Sequence, residues 1–419
     1  MGTFAVRLPR GSAKRGRKVR SQMTTAFVRM TCRAKDMKQR AITILGSTGS
    51  IGTQALDIIA QHPDELQVHA LVCDKNIELL AQQAKVYRPR LVVVNDISRY
   101  KDLRRLLKDT EVEVRCGAEA ITDVAGDPDA DMVLTAMVGF AGLAPTIRAI
   151  ESNRMIALAN KETLVVAGDL ITHLAKEHSA IILPVDSEHS AIYQCLRGER
   201  IQELKKIYLT ASGGPFVDFT PEQLSGVKPE QALKHPKWKM GQKVTIDSAS
   251  LMNKGLEMIE AHHLFGVEPE NIEVLVHRQS IIHSMVGFAD GTVKAQLGLP
   301  DMRIPIAYAL TYPRRRSTSV KLPTIGDWTN LTFEQPRLEA FPCLGLAYEA
   351  LNTGGTAPCV LNAANEVAVH RFLMGEVDFM DIPRIIRDVL DRTSTRNATS
   401  IEVLVAMDTE ARRLAREWH

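Results

Sequence analysis

The sequence predicts an α/β protein in which a parallel sheet precedes a second, mixed sheet and a helical C-terminal region. Short apolar runs alternate with amphipathic segments between residues 41 and 185, which is the pattern of βα units. Further on, two strand-like runs flank Asp290-Gly291, a dipeptide that favours a tight hairpin turn. From Leu338 onward apolar residues recur at helical spacing, most clearly in Val360–Phe372 and Ile382–Arg392.

Composition and charge indicate a soluble protein. The 419 residues are 45% hydrophobic and 24% charged, and no apolar run reaches the roughly 18 residues of a membrane span. The net charge of +3 is unevenly distributed, because residues 1–40 hold twelve basic side chains and one acidic side chain. The remaining chain has 40 basic and 48 acidic residues, so we expect neither a nucleic-acid partner nor a membrane.

The basic segment over residues 1–36 is predicted to be a disordered extension. An Arg-rich, acid-poor leader resembles an organelle transit peptide, but a nucleic-acid-binding arm or a translated upstream region without function remains open. Met37 precedes the first strand and is a possible alternative start. We expect a cytoplasmic protein, with an organelle as the alternative if the extension is a transit peptide.

The six cysteines are scattered singly and include no C-x-x-C pair. Such a pattern favours free thiols in a reducing compartment over a disulfide framework or a zinc site.

A glycine-rich loop follows the first strand. Ala41–Leu45 runs directly into Gly46-Ser47-Thr48-Gly49-Ser50-Ile51-Gly52, and a helical pattern begins at Gln54. Glycines allow the backbone to turn tightly and approach a ligand, and the helix N-terminus then faces a pyrophosphate. The spacing only approximates the common dinucleotide fingerprint, but its place between a strand and a helix predicts a Rossmann-like domain.

The second strand, Val68–Val72, ends near the position that selects between NAD and NADP. Asp74 there would accept a hydrogen bond from the ribose 2′-hydroxyl of NAD, whereas Lys75 and Asn76 would hold the 2′-phosphate of NADP. Residues alone leave both readings open.

Polar residues also follow later strands of the first sheet. Further strands are predicted at Leu91–Val94, Met132–Leu134 and Met155–Ala159. The last of them leads directly into Asn160, Lys161 and Glu162. Because strand C-termini line the ligand crevice of open α/β sheets, these three residues are candidate site residues. A simple helix start is an equally good interpretation.

Two carboxylates end the next apolar run. The predicted strand Ala180–Val185 leads into Asp186, Ser187 and Glu188, and in an extended chain Asp186 and Glu188 would share a face. One or two carboxylates plus substrate oxygens suit Mg²⁺ or Mn²⁺. Solvated loop acids are the alternative.

A helix opening at Ser248 would place Asn253, Lys254 and Glu257 at helical spacing. Its N-terminus, with Ser248 as the predicted N-cap, suits a phosphate, and Glu257 would add a third metal-binding carboxylate. A surface ion pair between Lys254 and Glu257 is the alternative.

Residues 212–241 have the features of a mobile flap, with paired glycines at one end and Trp238 at the other. Trp238 would close over a bound ligand, and His235 would contact an anion. A core tryptophan and a structural histidine are the alternatives.

Several of these segments together resemble the 1-deoxy-D-xylulose 5-phosphate reductoisomerases of the non-mevalonate isoprenoid pathway. The resemblance extends from about Met37 nearly to the C-terminus. It includes the glycine loop, Ala159–Glu162, Leu183–His189, Ala211–Phe216, His235–Gly241, Asp247–Glu257 and the segment Leu361–Glu366.

The resemblance implies a homodimeric oxidoreductase that uses NADPH and Mg²⁺ or Mn²⁺. It would rearrange a sugar phosphate, 1-deoxy-D-xylulose 5-phosphate, and reduce the aldehyde formed, giving 2-C-methyl-D-erythritol 4-phosphate for isoprene biosynthesis. The implied domains are a disordered extension (1–36), an NADPH-binding domain (37–185), an α+β catalytic and metal-binding domain (186–311), a linker (312–337) and a C-terminal helical domain (338–419).

The resemblance also implies the site residues. Asp186, Glu188 and Glu257 would hold the metal, and together with Lys161 they would be the catalytic residues. Substrate would contact Ser187, Glu188, Ser212, His235, Trp238, Ser248, Asn253, Lys254 and Glu257. NADPH would contact Thr48, Gly49, Ser50, Ile51, Lys75, Asn76, Asn160, Glu162 and Gly241. Asp74 departs from the small residue of the family pattern, and a carboxylate there would repel a 2′-phosphate unless it turned away. NADPH is still the expected cofactor because Lys75 and Asn76 are present.

Two other functions are weighed against this one. A semialdehyde dehydrogenase would need a thiol nucleophile beside a base, and only Cys195 lies near the acidic segments in the sequence. A non-catalytic nucleotide sensor would tolerate the loss of metal ligands, yet all three carboxylates are present.

Overall fold

The computed structural model describes residues 39–238, 240–398 and 400–419, and residues 40–419 form one compact unit. The predicted basic extension over residues 1–36 and the alternative start at Met37 lie outside the described residues.

The first sheet has seven strands, all parallel, in the order β4-β3-β2-β1-β5-β6-β7. The direction in which the chain adds strands reverses between β1 and β5, and such a switch point opens a crevice at the carboxyl ends of the strands. The strands are β1 Arg40–Leu45, β2 Leu66–Cys73, β3 Leu91–Val94, β4 Glu113–Cys116, β5 Met132–Thr135, β6 Met155–Leu158 and β7 Ile182–Pro184.

Helices cover both faces of this sheet, so its central strands are apolar on both sides. In β1, Ile42 and Ile44 pack into one apolar layer while Leu45 packs into the opposite one. A strand buried on both faces reads as a continuous apolar run rather than an alternating one. One layer is built from helices Ser50–Gln61, Ile77–Tyr87, Tyr100–Leu106 and Arg303–Thr311, and the other from Gly117–Ala125, Leu143–Glu151 and Glu162–Glu177.

The second sheet has four strands in the order β11-β10-β8-β9. It is mixed, because β8 and β9 run parallel while the other two pairs are antiparallel. The predicted hairpin at Asp290-Gly291 joins β10 and β11, with Gly291 at φ +85°. The strands are β8 Leu204–Ala211, β9 Ile272–Val276, β10 Ile282–Phe288 and β11 Val293–Leu297.

The remaining helices share one apolar core with the second sheet. They are Ser187–Cys195, Pro221–Leu224, Pro229–Ala232, Gln242–Ala249, Met252–Phe265, Pro342–Thr353, Ala357–Leu373, Asp381–Arg392 and Ile401–Glu417; short 3₁₀ turns occur at Ile97–Arg99, Gly139–Gly142, Ile201–Glu203, Pro269–Asn271 and Ile325–Trp328. The predicted fold class, a Rossmann-like sheet, a mixed second sheet and a helical C-terminal region, is confirmed. Within the described residues, no helix is long and apolar enough to cross a membrane.

Two strands escape the apolar pattern of the sequence. β4 is an edge strand with exposed or half-buried side chains, and β8 has Lys205 and Lys206 as its second and third residues. The strands predicted at 155–159 and 180–185 are present but shorter, since β6 ends at Leu158 and β7 includes only Ile182–Pro184.

Candidate active site

A cavity of about 410 Å³ opens at the carboxyl ends of β1, β5, β6 and β7, with the end of β8 and the flap on its other side. This is the crevice expected at the switch point of the first sheet. Sixteen predicted site residues line it: Gly49, Ser50, Ile51, Lys161, Glu162, Asp186, Ser187, Glu188, Ser212, His235, Trp238, Gly241, Ser248, Asn253, Lys254 and Glu257.

Two positions of the glycine loop have room only for glycine. A Cβ on Gly46, which has φ +95°, would lie 2.5 Å from the carbonyl oxygen of Ala136, and one on Gly52 would lie 2.3 Å from that of Gly46. Gly49 is the N-cap of helix Ser50–Gln61 and makes no side-chain cap hydrogen bond. The first amides of that helix therefore face a place where a phosphate can bind.

The end of β2 carries the predicted choice between NAD and NADP. Asp74, Lys75 and Asn76 are all exposed, and Asn95 Nδ2 donates a hydrogen bond of 2.8 Å to Asp74 Oδ1. Asn76 Oδ1 accepts from the amide of Leu79 and caps the following helix. The Asp74 carboxylate is thus held by Asn95, while Lys75 lies beside it.

Three carboxylates from two helices converge in the cavity. Asp186, Glu188 and Glu257 each offer an oxygen atom, and the three atoms lie within 4.8 Å of one another. Glu257 is 1% exposed, and Asp186 and Glu188 are 16% and 17% exposed. A cluster of hard oxygen ligands with this spacing fits a single Mg²⁺ or Mn²⁺.

The local backbone differs from the prediction at both sources of these carboxylates. The strand ends at Pro184, Asp186 is an N-cap, and Glu188 lies in the first turn of helix Ser187–Cys195. Asp186 and Glu188 therefore reach the same site from the start of a helix. The prediction that they share one face of a strand is wrong.

The prediction of Ser248 as an N-cap is also wrong. Ser248 belongs to helix Gln242–Ala249, and the next helix begins at Met252 after Leu251, whose φ is +60°. A left-handed leucine costs about 1–3 kcal/mol, so it persists only where the surrounding structure requires it. This turn brings Ser248 and the start of the second helix to the same cavity.

Two lysines balance most of the negative charge. Lys161 Nζ forms an ion pair with Asp186 and lies 3.0 Å from Glu257 Oε1. Lys254 Nζ lies 2.8 Å from Glu188 Oε1 and also pairs with Glu257. Three carboxylates against two ammonium groups leave one negative charge in a buried place, which favours binding of a further cation.

The pKa directions agree with this charge balance. Burial opposes charge on Lys161, but Asp186 and Glu257 raise its pKa well above the usual value. Burial also opposes charge on Asp186, yet Lys161 lowers its pKa. Glu188 differs, since burial and then repulsion from Glu257 raise its pKa. A divalent cation at this place would relieve that repulsion.

A second pair of groups lies behind the carboxylates. His189 Nε2 is 2.8 Å from the carbonyl oxygen of Glu257, and His189 Nδ1 is 3.2 Å from Glu260 Oε2. Because a carbonyl only accepts, Nε2 carries the proton of the neutral ring. Burial lowers the pKa of His189 and raises that of Glu260, which favours the neutral form of both groups. Asp186, His189 and Glu260 also come within metal-binding distance of one another, but neither His189 nor Glu260 lines the cavity.

Ser212 and His235 lie together in one wall of the cavity. His235 Nδ1 accepts from the amides of Lys237 and Trp238, at 3.2 and 2.9 Å, so the proton of the neutral ring is on Nε2. Burial lowers the pKa of His235 to about 4, and Nε2 lies 3.0 Å from Ser212 Oγ. Ser212 Oγ thus accepts from His235, and its own proton remains available to an anion in the cavity.

The flap carries Trp238 into the cavity lining, with its ring 6.2 Å from that of His283. Trp238 is therefore not a core anchor. The flap contains helices Pro221–Leu224 and Pro229–Ala232 and ends at Gly241, where helix Gln242–Ala249 begins.

Four predicted site residues do not line the cavity. Asn160 is buried behind Glu162, to which its Nδ2 donates at 3.1 Å, and Thr48, Lys75 and Asn76 lie in the glycine loop or at the end of β2. Sequence reasoning also missed lining residues, notably His283, Ser280 and the segment Ala136–Val138. His283 lies within a strand pattern, and residues 136–138, which follow β5, have no polar side chains. Only their position at the crevice identifies these residues as part of the site.

The thiol nucleophile of a semialdehyde dehydrogenase has no counterpart here. Among the described residues, no cysteine lines the cavity, and burial raises the pKa of Cys195 to about 11. A buried thiol of this kind is unreactive.

Sequence models of one family match most of the chain. The model described as 1-deoxy-D-xylulose 5-phosphate reductoisomerase matches residues 42–168, and models of the family's C-terminal domains match residues 182–265 and 297–414. A curated relative of the same name from Porphyromonas gingivalis is 54% identical over 385 residues, covering 90% of this chain and 97% of the relative. One from Bacteroides thetaiotaomicron is 53% identical, covering 91% and 98%.

Solved structures agree with the sequence relatives. The Zymomonas mobilis enzyme in complex with NADPH is 43% identical, has a TM-score of 0.86, and is matched over 90% of this chain and 98% of its own. A second reductoisomerase, in complex with NADPH, fosmidomycin and magnesium, is 39% identical with a TM-score of 0.86 over 90% and 97% of the two chains. The chain therefore belongs to the 1-deoxy-D-xylulose 5-phosphate reductoisomerase family.

Proposed function

We propose that this protein is an NADPH-dependent oxidoreductase that isomerises and reduces 1-deoxy-D-xylulose 5-phosphate to 2-C-methyl-D-erythritol 4-phosphate, a step of isoprene biosynthesis by the non-mevalonate pathway. The observation that carries the proposal is the meeting of three carboxylates with a glycine-loop crevice in one cavity. Family membership supports the same reaction, and a related structure holds NADPH and magnesium together.

Asp186, Glu188 and Glu257 are the proposed metal ligands. Their oxygens fit one ion, and the charge left over by Lys161 and Lys254 favours a divalent cation, Mg²⁺ or Mn²⁺. When bound, such an ion supplies Lewis-acid polarisation of a carbonyl.

The cationic and hydroxyl groups around these carboxylates are proposed to orient the substrate. Lys161 and Ser187 flank the metal ligands and would donate hydrogen bonds to the substrate's oxygens, with Lys161 also positioned to move a proton. The phosphate would be held by Ser212, Ser248, Asn253 and Lys254, with His235 fixing the Ser212 hydroxyl.

Phosphate binding far from the reacting carbons supplies energy for orientation and for closing the flap. Trp238 and His235 belong to the flap and line the cavity, so closure of the flap would exclude water from the substrate.

The cofactor is proposed to occupy the glycine-loop side of the cavity. The amides at Gly49, Ser50 and Ile51 would face its pyrophosphate, and Glu162 and Gly241 line the same cavity. Thr48, Lys75, Asn76 and Asn160 complete the proposed set from outside the cavity lining.

A spectrophotometric assay tests the function. NADPH oxidation should depend on added 1-deoxy-D-xylulose 5-phosphate, stop with a chelator, and return when Mg²⁺ or Mn²⁺ is restored, because the carboxylates alone do not polarise the carbonyl. Oxidation that continues in excess chelator, or needs no sugar phosphate, would remove the proposal.

Asp74 gives a prediction about cofactor preference. We expect NADPH to be preferred over NADH, and Asp74→Asn to raise the ratio of their kcat/KM values about tenfold, because a carboxylate repels the 2′-phosphate beside Lys75. Asn keeps the size of the side chain, and Asp102→Asn, at an exposed carboxylate elsewhere, is the matched control. A wild-type preference for NADH would show that the argument from Lys75 is wrong, and an unchanged ratio would show that Asp74 does not face the adenosine end.

A homodimer is the proposed assembly. Large apolar side chains are exposed on one segment, including Leu322 at 87% and Ile325 at 85%, and among the described strands β11 has no partner on its outer edge. Exposed apolar patches and free strand edges mark association surfaces. A monomer mass in sedimentation at micromolar concentration would exclude it.

Location, other partners and domain boundaries complete the proposal. Because the curated relatives are from bacteria and residues 41–419 carry excess acid, we place the protein in the cytoplasm without a nucleic-acid partner. An organelle is the alternative if residues 1–36 are a transit peptide.

The proposed domain boundaries are 37–185, 186–311, 312–337 and 338–419. Helix Arg303–Thr311, at the end of the second of these domains, packs against the first sheet.

A further inference from the structure

The segment Leu361–Glu366 is a strong motif in the sequence to which the proposed function assigns no role. It lies on helix Ala357–Leu373 in the C-terminal region, and Asn362 and Asn365 are fully buried there. Asn365 Nδ2 donates a 2.8 Å hydrogen bond to Asp247 Oδ1 across the boundary with helix Gln242–Ala249. A buried amide on a buried carboxylate is a specific contact rather than packing.

Asp247 passes this contact to the cavity wall through Lys243. Lys243 Nζ lies 2.8 Å from Asp247 Oδ2 and 3.0 Å from Glu162 Oε1. Glu162 lines the cavity and accepts from Asn160 at its other oxygen. Lys243 is two residues after Gly241, so its ammonium group also lies close to the C-terminal end of the flap.

Glu366 supports a second part of the same wall. A Cβ on Gly139 would lie 3.0 Å from Glu366 Oε1, so the carboxylate lies directly against the turn that follows Ala136–Val138. Glu366 is held by Asn362, at 3.0 Å, and by Arg412, at 2.7 Å. The adjoining residues Ala136–Val138 line the cavity.

We propose that Asn365 and Glu366 are positioning residues through which the C-terminal helices fix the NADPH-binding wall of the cavity. Asn365 acts through Asp247 and Lys243 on Glu162, and Glu366 acts on the loop 136–142. This inference rests on the proposed function for the identity of the cofactor. It assigns the C-terminal helices a part in cofactor binding, although none of their described residues lines the cavity.

The test measures NADPH binding by fluorescence, in the absence of metal and substrate. Asn365→Ala should raise the Kd of NADPH about tenfold, because Asp247 loses a buried partner and Lys243 shifts away from Glu162. In steady-state assays the KM for NADPH should rise in parallel, while kcat at saturating NADPH changes less than about threefold.

Thr356→Val is the matched control. It removes a buried hydrogen bond of the same helical region, in which Thr356 Oγ1 accepts from the amide of Arg396 at 3.0 Å, without touching the cavity. The inference is upheld if NADPH binds normally to this variant and weakly to Asn365→Ala. Equal Kd values in Asn365→Ala and wild type, or equal weakening in both variants, would overturn it.

A second variant covers the case in which Asn365→Ala does not fold. Glu366→Ala changes a partly exposed side chain, and the same rise in the Kd of NADPH is expected, with an unchanged Kd overturning the inference. If wild type binds NADPH but does not turn over the sugar phosphate, the proposed function fails while the binding comparison still decides this inference.

Discussion

Glu257→Gln should lower kcat about a thousandfold, equivalent to about 4 kcal/mol, while the fold survives. Glu257 offers oxygens to the metal site and accepts contacts from Lys161, Lys254 and Asn253. Glutamine keeps the volume but removes the charge that holds the cation. The measurement is turnover of 1-deoxy-D-xylulose 5-phosphate at saturating NADPH across a metal titration.

Glu260→Gln is the control for this variant. Glu260 lies one turn along the same helix, is also fully buried, and belongs to the alternative set with Asp186 and His189. Since Glu260 does not line the cavity, we expect its replacement to keep kcat within about tenfold of wild type. Unchanged turnover in Glu257→Gln at saturating metal would exclude Glu257 from the metal site.

Lys161→Met should lower kcat at least about a hundredfold with little change in the KM for NADPH. Lys161 follows β6 and brings its ammonium group to both Asp186 and Glu257, where it would also meet the substrate's oxygens. Methionine keeps the apolar stem but leaves Asp186 without its lysine partner and Glu257 with Lys254 alone. Presteady-state and steady-state NADPH oxidation measure the loss.

Lys206→Met is the matched control for this lysine. Its Nζ pairs with Glu273 at 2.6 Å between β8 and β9, away from the cavity. A surface ion pair of this kind contributes about 0–1 kcal/mol, so we expect wild-type turnover. Full activity in Lys161→Met would show that the ammonium group is not needed for the reaction.

Much of the fold can be predicted because buried strands leave a clear apolar signal. The central strands of the first sheet, such as β1 and β3, are apolar on both faces and read directly from the sequence. Edge strand β4 and strand β8 are not, since their partly exposed positions allow charged residues. The predicted helix start at Ser248 is wrong for another reason. Leu251 adopts a left-handed conformation, which a leucine in the sequence does not predict.

The candidate site is predictable where chemistry is dense in the sequence. Asp186, Glu188 and Glu257 meet as expected, although the route through a helix N-terminus differs from the expected strand. Long-range contacts leave no local signal. No sequence feature near Asn365 predicts its contact with Asp247. His283 has the pattern of an ordinary strand residue, and only the structure shows that its ring lies near that of Trp238.

The most direct test of the account is Mn²⁺ binding, measured by paramagnetic resonance on wild type, Glu257→Gln and Glu260→Gln. We expect one tight site in wild type, loss of that site in Glu257→Gln, and near wild-type affinity in Glu260→Gln, because Asp186, Glu188 and Glu257 are the proposed ligands. Wild-type affinity in Glu257→Gln together with loss in Glu260→Gln would place the ion with His189 instead and contradict the account.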